Sequence, residues 1–153
     1  MRRIVLLDTG PTGLAVCPRE VKGVAACLTW LAGVEATGVE VLIPTIVDYE
    51  VRRELLRINA EKKLHRLDAL IARFGTADIS AAAFLRASEL WAIVRRAGKP
   101  TADPKALDAD TIIAGAAATI GTPRDEVIIA TNNTNHFRRF PGIDAREWTT
   151  INR

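Results

Sequence analysis

Three short apolar runs limit what this chain can fold into: Ile4-Val5-Leu6-Leu7, Val39-Glu40-Val41-Leu42-Ile43 and Val127-Ile128-Ile129-Ala130. Their near-continuous hydrophobicity reads as strands buried on both sides, and such strands belong to parallel sheets covered by helices. Helical spacing fills the intervals. One helix is expected from about Glu20 through Val24, Leu28 and Leu31, with Gly33 and Gly38 near its end. A second, capped by Thr45, should run from Ile46 to about Ala60, and a third over 61–74 should stop at Gly75, the two forming a hairpin. Ser80 is expected to cap a long helix through Phe84, Ala87, Trp91 and Val94 that ends before Gly98. Residues 100–107 read as a surface loop, and Asp108 and Asp110 as the start of a small-residue helix that Gly121 ends. A final strand is expected near 144–146. Strand alternating with helix defines an α/β class with a mainly parallel sheet.

The chain has 153 residues, 48% of them hydrophobic, which suffices for one core and not for two comfortable ones. No linker, repeat or low-complexity stretch divides it, so a single domain over 1–153 is expected. Its 21 basic and 18 acidic residues leave a formal charge of +3, with a pI near 9.2, which favours a polyanionic partner. Arginine pairs at Arg2-Arg3, Arg52-Arg53, Arg95-Arg96 and Arg138-Arg139 are either solvated surface or a phosphate-facing rim. Cys17 and Cys27 stand apart from any histidine cluster, and the basic start Met1-Arg2-Arg3 leads into an apolar run that Asp8 and Pro11 interrupt. A reduced, soluble, cytoplasmic protein without a membrane span is the expectation.

Asp8 closes the first strand and is followed at once by Thr9-Gly10-Pro11. In open α/β folds ligands bind at the C-terminal edge of the strands, so a carboxylate there is placed for chemistry. Acids or amides recur at comparable junctions, at Glu50, at Asp108 and Asp110, and at Asn133. Oxygen ligands of this kind suit a hard divalent cation, Mg2+ or Mn2+. Such a cation neutralises a phosphodiester and lowers the pKa of an attacking water, and water attack would leave a 5′-phosphate and a 3′-hydroxyl. Asp8 and Asp110 are the candidates for direct ligands. Glu50 could complete the shell through water, and Asn133 could position a water or a phosphate oxygen.

The blander roles stay open. Asp8 could cap the following turn, and Asp108 could be a helix cap alone. Glu50 and Glu54 share a helical face, so one could be the ligand and the other a partner of Arg53 or Arg57. Thr9 could contact a ligand or belong only to the turn; His136 could meet phosphate or bond within its loop. His65 reads as a surface residue, and Trp30, Trp91 and Trp148 as packing residues. A nucleotide-dependent enzyme on a similar sheet lacks support, because there is neither a G-x-G-x-x-G fingerprint nor a P-loop lysine, and a phosphatase would want an acid where Gly10 stands.

The blocks LLDTGPTG, IPTIVDYEVRRELLR, LDADTIIAGAA and IIATNNTNHFRRF, in that order, resemble a PIN domain, most closely the VapC-type toxin ribonucleases of toxin–antitoxin pairs. The resemblance runs from about Ile4 to Trp148. It implies a three-layer α/β/α sandwich and an acidic pocket that holds Mg2+ or Mn2+ and cuts RNA. It also implies a cognate antitoxin whose tail covers the cleft, and a homodimer. Asp8, Glu50 and Asp110 match the family's acids. Asn133 falls where many members carry a fourth acid, and His136 where many have an aspartate before phenylalanine. These two departures make the site less negative, so one tightly held ion is expected in the free protein, with a second recruited by substrate. Thr9, Arg53 and His136 are the expected substrate contacts, and the helical pair over 46–74 is the expected groove for the partner.

Overall fold

The computed structural model describes residues 1–98 and 104–152. Five strands, β1 (Arg3–Leu7), β2 (Glu40–Pro44), β3 (Thr76–Ala77), β4 (Glu126–Thr131) and β5 (Ala145–Glu147), form one sheet in the order β3-β2-β1-β4-β5. Every pairing is parallel. Among the described residues seven α-helices accompany them: α1 (Thr9–Ala15), α2 (Val24–Ala36), α3 (Thr45–Arg57), α4 (Glu61–Phe74), α5 (Ala81–Arg96), α6 (Pro104–Thr119) and α7 (Thr134–Phe137). Ile4, Val5, Leu6 and Leu7 of β1 are all 0% exposed. Successive strand residues point to opposite faces, so burial of all four requires cover on both faces. The expected three-layer α/β/α arrangement follows.

The chain steps outward from β1 to β2 to β3, then crosses back to place β4 on the other side of β1. The strand order therefore reverses between β1 and β4, and the crevice outside their C-terminal ends is where an open parallel sheet offers a binding site. Asp8 follows β1 at that edge, and Thr131 ends β4.

Several expected boundaries shift for local reasons. Thr9-Gly10-Pro11 is the first turn of α1, not an isolated turn, because Asp8 caps it by accepting the Thr9 N–H and proline is tolerated where no backbone donor is needed. Helix α2 starts at Val24, behind the left-handed Gly23 (φ 91°), rather than near Glu20. Thr45 is the first residue of α3 instead of its cap, and its hydroxyl accepts from the Ile79 N–H at 3.3 Å. Ser80 does cap α5, accepting from Ala83 N–H at 3.1 Å, and Gly75 (φ 89°) does stop α4. Part of the expected loop, 100–103, lies outside the described residues, and the rest is helix: Pro104 opens α6, the position where proline's missing N–H costs nothing. Asp108 and Asp110 therefore sit inside α6, and Asp108 is not its cap.

The core continues along α5 and α6, which pack by small residues. A side-chain carbon added to Gly115 would lie 2.3 Å from Ala83 O and 2.9 Å from Ala87 N. Trp30 and Trp148 are buried against each other with centroids 5.4 Å apart, the Trp30 indole N–H donating to Ile151 O, whereas Trp91 is partly exposed on α5. Among the described residues, no helix is long and apolar enough to cross a membrane.

Candidate active site

Asp8 is 6% exposed and held from two sides. Its Oδ1 accepts the Thr9 N–H at 2.8 Å, and its Oδ2 accepts the Thr131 hydroxyl at 2.7 Å. The second bond spans the crevice between β1 and β4. Thr131, itself 0% exposed, also accepts the Asn133 N–H at 2.9 Å. One hydroxyl thus fixes both the carboxylate and the start of the following loop. The Asn132 side chain closes on Gly10, where an added side-chain carbon would lie 2.6 Å from Asn132 Nδ2. A larger residue at position 10 would have to push the exposed Asn132 side chain aside.

Asp110 reaches the same crevice from α6. Burial, then the charge of Asp8, pushes its carboxyl up to about 6, while His136 and Arg139 oppose the shift. His136 Nδ1 stands 3.2 Å and the Arg139 guanidinium 3.7 Å from Asp110 Oδ2. Arg139 is too distant and His136 not aligned for a hydrogen bond, so the buried Oδ2 has charged neighbours but no hydrogen-bond partner. A half-buried Glu50 on α3 is raised by burial first; Arg53 lowers it, and the charges of Asp8 and Asp110 raise it further. The three carboxylates that the sequence pointed to share one electrostatic neighbourhood, drawn from β1, α3 and α6.

The other expected site residues divide. Thr9 lies at the crevice with its backbone on Asp8. Arg53 stacks over the Tyr49 ring at 5.1 Å. Asn133 is exposed, precedes α7 and contributes its backbone N–H, but its side chain makes no capping bond. His136 sits against Asp110, anchored by the buried Phe137 beside it. Asp108 is exposed and lines a different cleft with Phe84 and Trp91, so the structure does not bring it to Asp8 and Asp110. Glu54 pairs with Arg57 at 3.0 Å, which leaves Glu50 as the acid of α3 that faces the crevice. Sequence reasoning missed Thr131 and Arg139 as individual site residues. A threonine at a strand end and the second of two arginines carry no signal until the fold turns them toward a carboxylate.

An Mg2+ or Mn2+ ion suits this donor set in part. The buried, unpartnered Asp110 Oδ2 and the remaining lone pairs of Asp8 are hard oxygen donors next to one another in charge. Among the described residues, however, no three His, Cys, Asp or Glu side chains draw close enough to form a preassembled metal cluster. Asp8 and Asp110 are the pair that would hold an ion, with Glu50 acting across water.

Thr131→Val is expected to remove the hydroxyl from both Asp8 Oδ2 and the Asn133 N–H at nearly constant shape. Leaving such buried groups unpaired costs about 1–3 kcal/mol, measurable by denaturant unfolding, and Thr131→Ser should recover most of it. Equal stability of the threonine and valine forms would deny the hydroxyl this role.

The fold and its crevice define a PIN-like α/β/α domain with an acidic site at the sheet's switch point. The chain matches no protein-family model and no curated protein sequence. It does superpose along nearly its whole length on solved structures. A chain of DNA-bound VapBC from Salmonella typhimurium is 23% identical at a TM-score of 0.73, with 97% of this chain and 99% of that one covered. A chain of FitAcB from Neisseria gonorrhoeae is 20% identical at 0.71, covering 96% and 99%. A chain of VapBC2 from Rickettsia felis, solved with a DNA fragment from the promoter, is 19% identical at 0.68, covering 94% and 97%. At these identities the likeness establishes the fold.

Proposed function

We propose that this chain is a metal-dependent endoribonuclease, the toxin of a toxin–antitoxin pair acting in the cytoplasm. The observation that carries the reading is the meeting of Asp8 and Asp110 at the switch-point crevice, where the charge of Asp8 raises the Asp110 carboxyl, with Glu50 beside them. Like charges brought together in a partly buried site cost stability when both are ionised, and a bound cation relieves that cost. Bound there, Mg2+ or Mn2+ would neutralise the phosphodiester and lower the pKa of the attacking water. Asp8, fixed by Thr9 and Thr131, keeps its carboxylate aimed at the crevice without needing to move. Glu50, its carboxyl raised above the ordinary value by burial first, stands beside the pair where it could take a proton from water. Arg139 presents positive charge at the mouth, with the His136 imidazole beside it, where a phosphate would pass.

The sequence blocks that resemble VapC-type toxins, and a fold shared with chains solved in VapBC and FitAcB structures, support a cognate antitoxin as partner. Exposed Leu56 and Ile58 at the end of α3 offer apolar surface to it, and exposed Phe84, Leu85 and Trp91 on α5 offer surface for a homodimer.

Cleavage of a mixed structured and single-stranded RNA pool, with and without Mn2+ or Mg2+, tests the reading. Metal-dependent cuts with 5′-phosphate ends, absent from Asp8→Asn, are expected. One observation favours a second reading: Arg139, 3.7 Å from Asp110 Oδ2, offsets part of the negative charge that would attract a cation. A PIN-like module that binds RNA or protein without cutting needs no cation, and an uncut pool with folded, antitoxin-free protein would select it.

A further inference from the structure

A cleft of about 370 Å3 opens beside the carboxylates, with Glu50 and Thr9 on its site-facing edge. Its volume falls in the range of roughly 300–1,000 Å3 typical of small-ligand sites. The lining away from the carboxylates is apolar: Val16 and Leu55 are buried and Val51 is half-buried. Two cations, Arg53 from α3 and Lys63 from α4, complete it.

These cations differ from their neighbours. Arg52 is tied to Asp48 and Asp68, and Arg57 to Glu54. Among the described residues, neither Arg53 nor Lys63 has a carboxylate within ion-pair distance, although Arg53 feels the charge of Glu50. The cleft's own acid at the outer edge, Glu54, is already neutralised by Arg57. The Arg53 guanidinium also lies over the Tyr49 ring, 5.1 Å from its centroid. An apolar floor, a flat cationic surface and a second cation, all contiguous with a phosphodiester-cutting site, match one chemistry: an unstacked base with its flanking phosphate.

We propose that this cleft takes the unpaired RNA nucleotide next to the scissile phosphate and thereby selects which sequence is cut. The proposal rests on the ribonuclease reading of the carboxylate site. A second cleft on the far side of Cys17 also carries arginines, but Arg73 is bound there to Glu35 and Arg66 to Val16 O, Arg19 lies beside Glu20, and none of Asp8, Glu50 or Asp110 lines it.

Cys17 supplies the reporter. It is half-buried on the cleft wall, whereas Cys27 is wholly buried with its thiol pushed up to about 11. Iodoacetamide should therefore modify Cys17 alone. In the full chain with EDTA, a short single-stranded RNA of mixed sequence, followed by fluorescence anisotropy, is expected to slow Cys17 alkylation about tenfold at saturation. The Arg53→Gln/Lys63→Gln double variant, shown folded by circular dichroism, should bind that RNA about tenfold more weakly, the scale of losing two phosphate contacts. With Mn2+ restored, its cut sites should show a weaker base preference beside the cut. RNA that binds without shielding Cys17, together with a double variant that binds and cuts with unchanged preference, overturns the proposal while leaving the ribonuclease standing. Equal shielding by poly-glutamate would reduce the cleft to a general anion site and overturn it too. Absence of both RNA binding and cleavage would remove the cleft's role and the ribonuclease together.

Discussion

Asp110→Asn is expected to make the protein more stable at pH 7.5 while reducing RNA cleavage at least a hundredfold, beyond the ~10–100-fold typical of losing a supporting metal-site residue. The two effects have one cause. Burial and the charge of Asp8 raise the Asp110 carboxyl from 3.8 to about 6. Between those values the folded state holds a proton that the unfolded chain has released, so stability falls as pH rises through the window and is lowest above it. At pH 7.5 the ionised group costs at most about 3 kcal/mol, and partial solvent access brings the expected gain of the amide to about 1–3 kcal/mol. For a chain of this size each kcal/mol corresponds to roughly 3 °C in the unfolding midpoint. The gain should shrink on acidification and vanish below about pH 4, where the native carboxyl is protonated in both states. Mn2+ should stabilise the native chain and not the variant. Thermal unfolding of both proteins across that pH range checks the sign. An amide variant less stable at pH 7.5 would mean that His136 and Arg139, at 3.2 and 3.7 Å, already compensate the charge.

Gly115→Ala carries the largest expected structural penalty. An alanine methyl would stand 2.3 Å from Ala83 O and 2.9 Å from Ala87 N, and both obstacles are backbone that cannot swing aside. Helix α5 must move off α6. Overpacking of this kind costs about 1–3 kcal/mol, against a helix-propensity gain of about 1 kcal/mol for replacing glycine, and backbone obstruction puts the cost at the upper end. A net loss of about 1–2 kcal/mol in urea unfolding is the expected result. Because α6 carries Asp110, the displacement should also move the carboxylate relative to Asp8, lowering the catalytic rate more than the stability loss alone explains. Undiminished stability would show that the two helices part without strain.

The elements that sequence revealed well were those whose signal is carried by neighbours along the chain. The apolar runs around Leu6, Leu42 and Ile128 became β1, β2 and β4, and the periodic segment over 61–74 became α4 with its stop at Gly75. Ser80 as a cap needed only the hydroxyl and the helix behind it. Local signals failed where a residue has two uses. The stretch beginning Thr9-Gly10-Pro11 has the composition of a turn and becomes a helix because strand β1 delivers a capping carboxylate to it, and Pro104 reads as a loop breaker yet serves as a first helical residue. The two-residue β3 has no pattern of its own and exists because β2 offers it a parallel edge.

At the site, position after a strand or near a helix start nominated Asp8 and Asp110, and the resemblance carried by the block IPTIVDYEVRRELLR singled out Glu50. The pairing of Glu54 with Arg57 agrees with the choice of Glu50 that the family resemblance implied, whereas the shared field of the three acids and the exclusion of Asp108 to the α5 side of α6 came only with the tertiary structure. The same holds for Thr131 bridging β4 to Asp8 and for His136 and Arg139 facing Asp110. The physical reason is distance along the chain. Propensity, capping and periodicity act over a few residues, whereas electrostatic coupling and a buried hydrogen bond across 123 residues depend on the strand order that sets β1 beside β4.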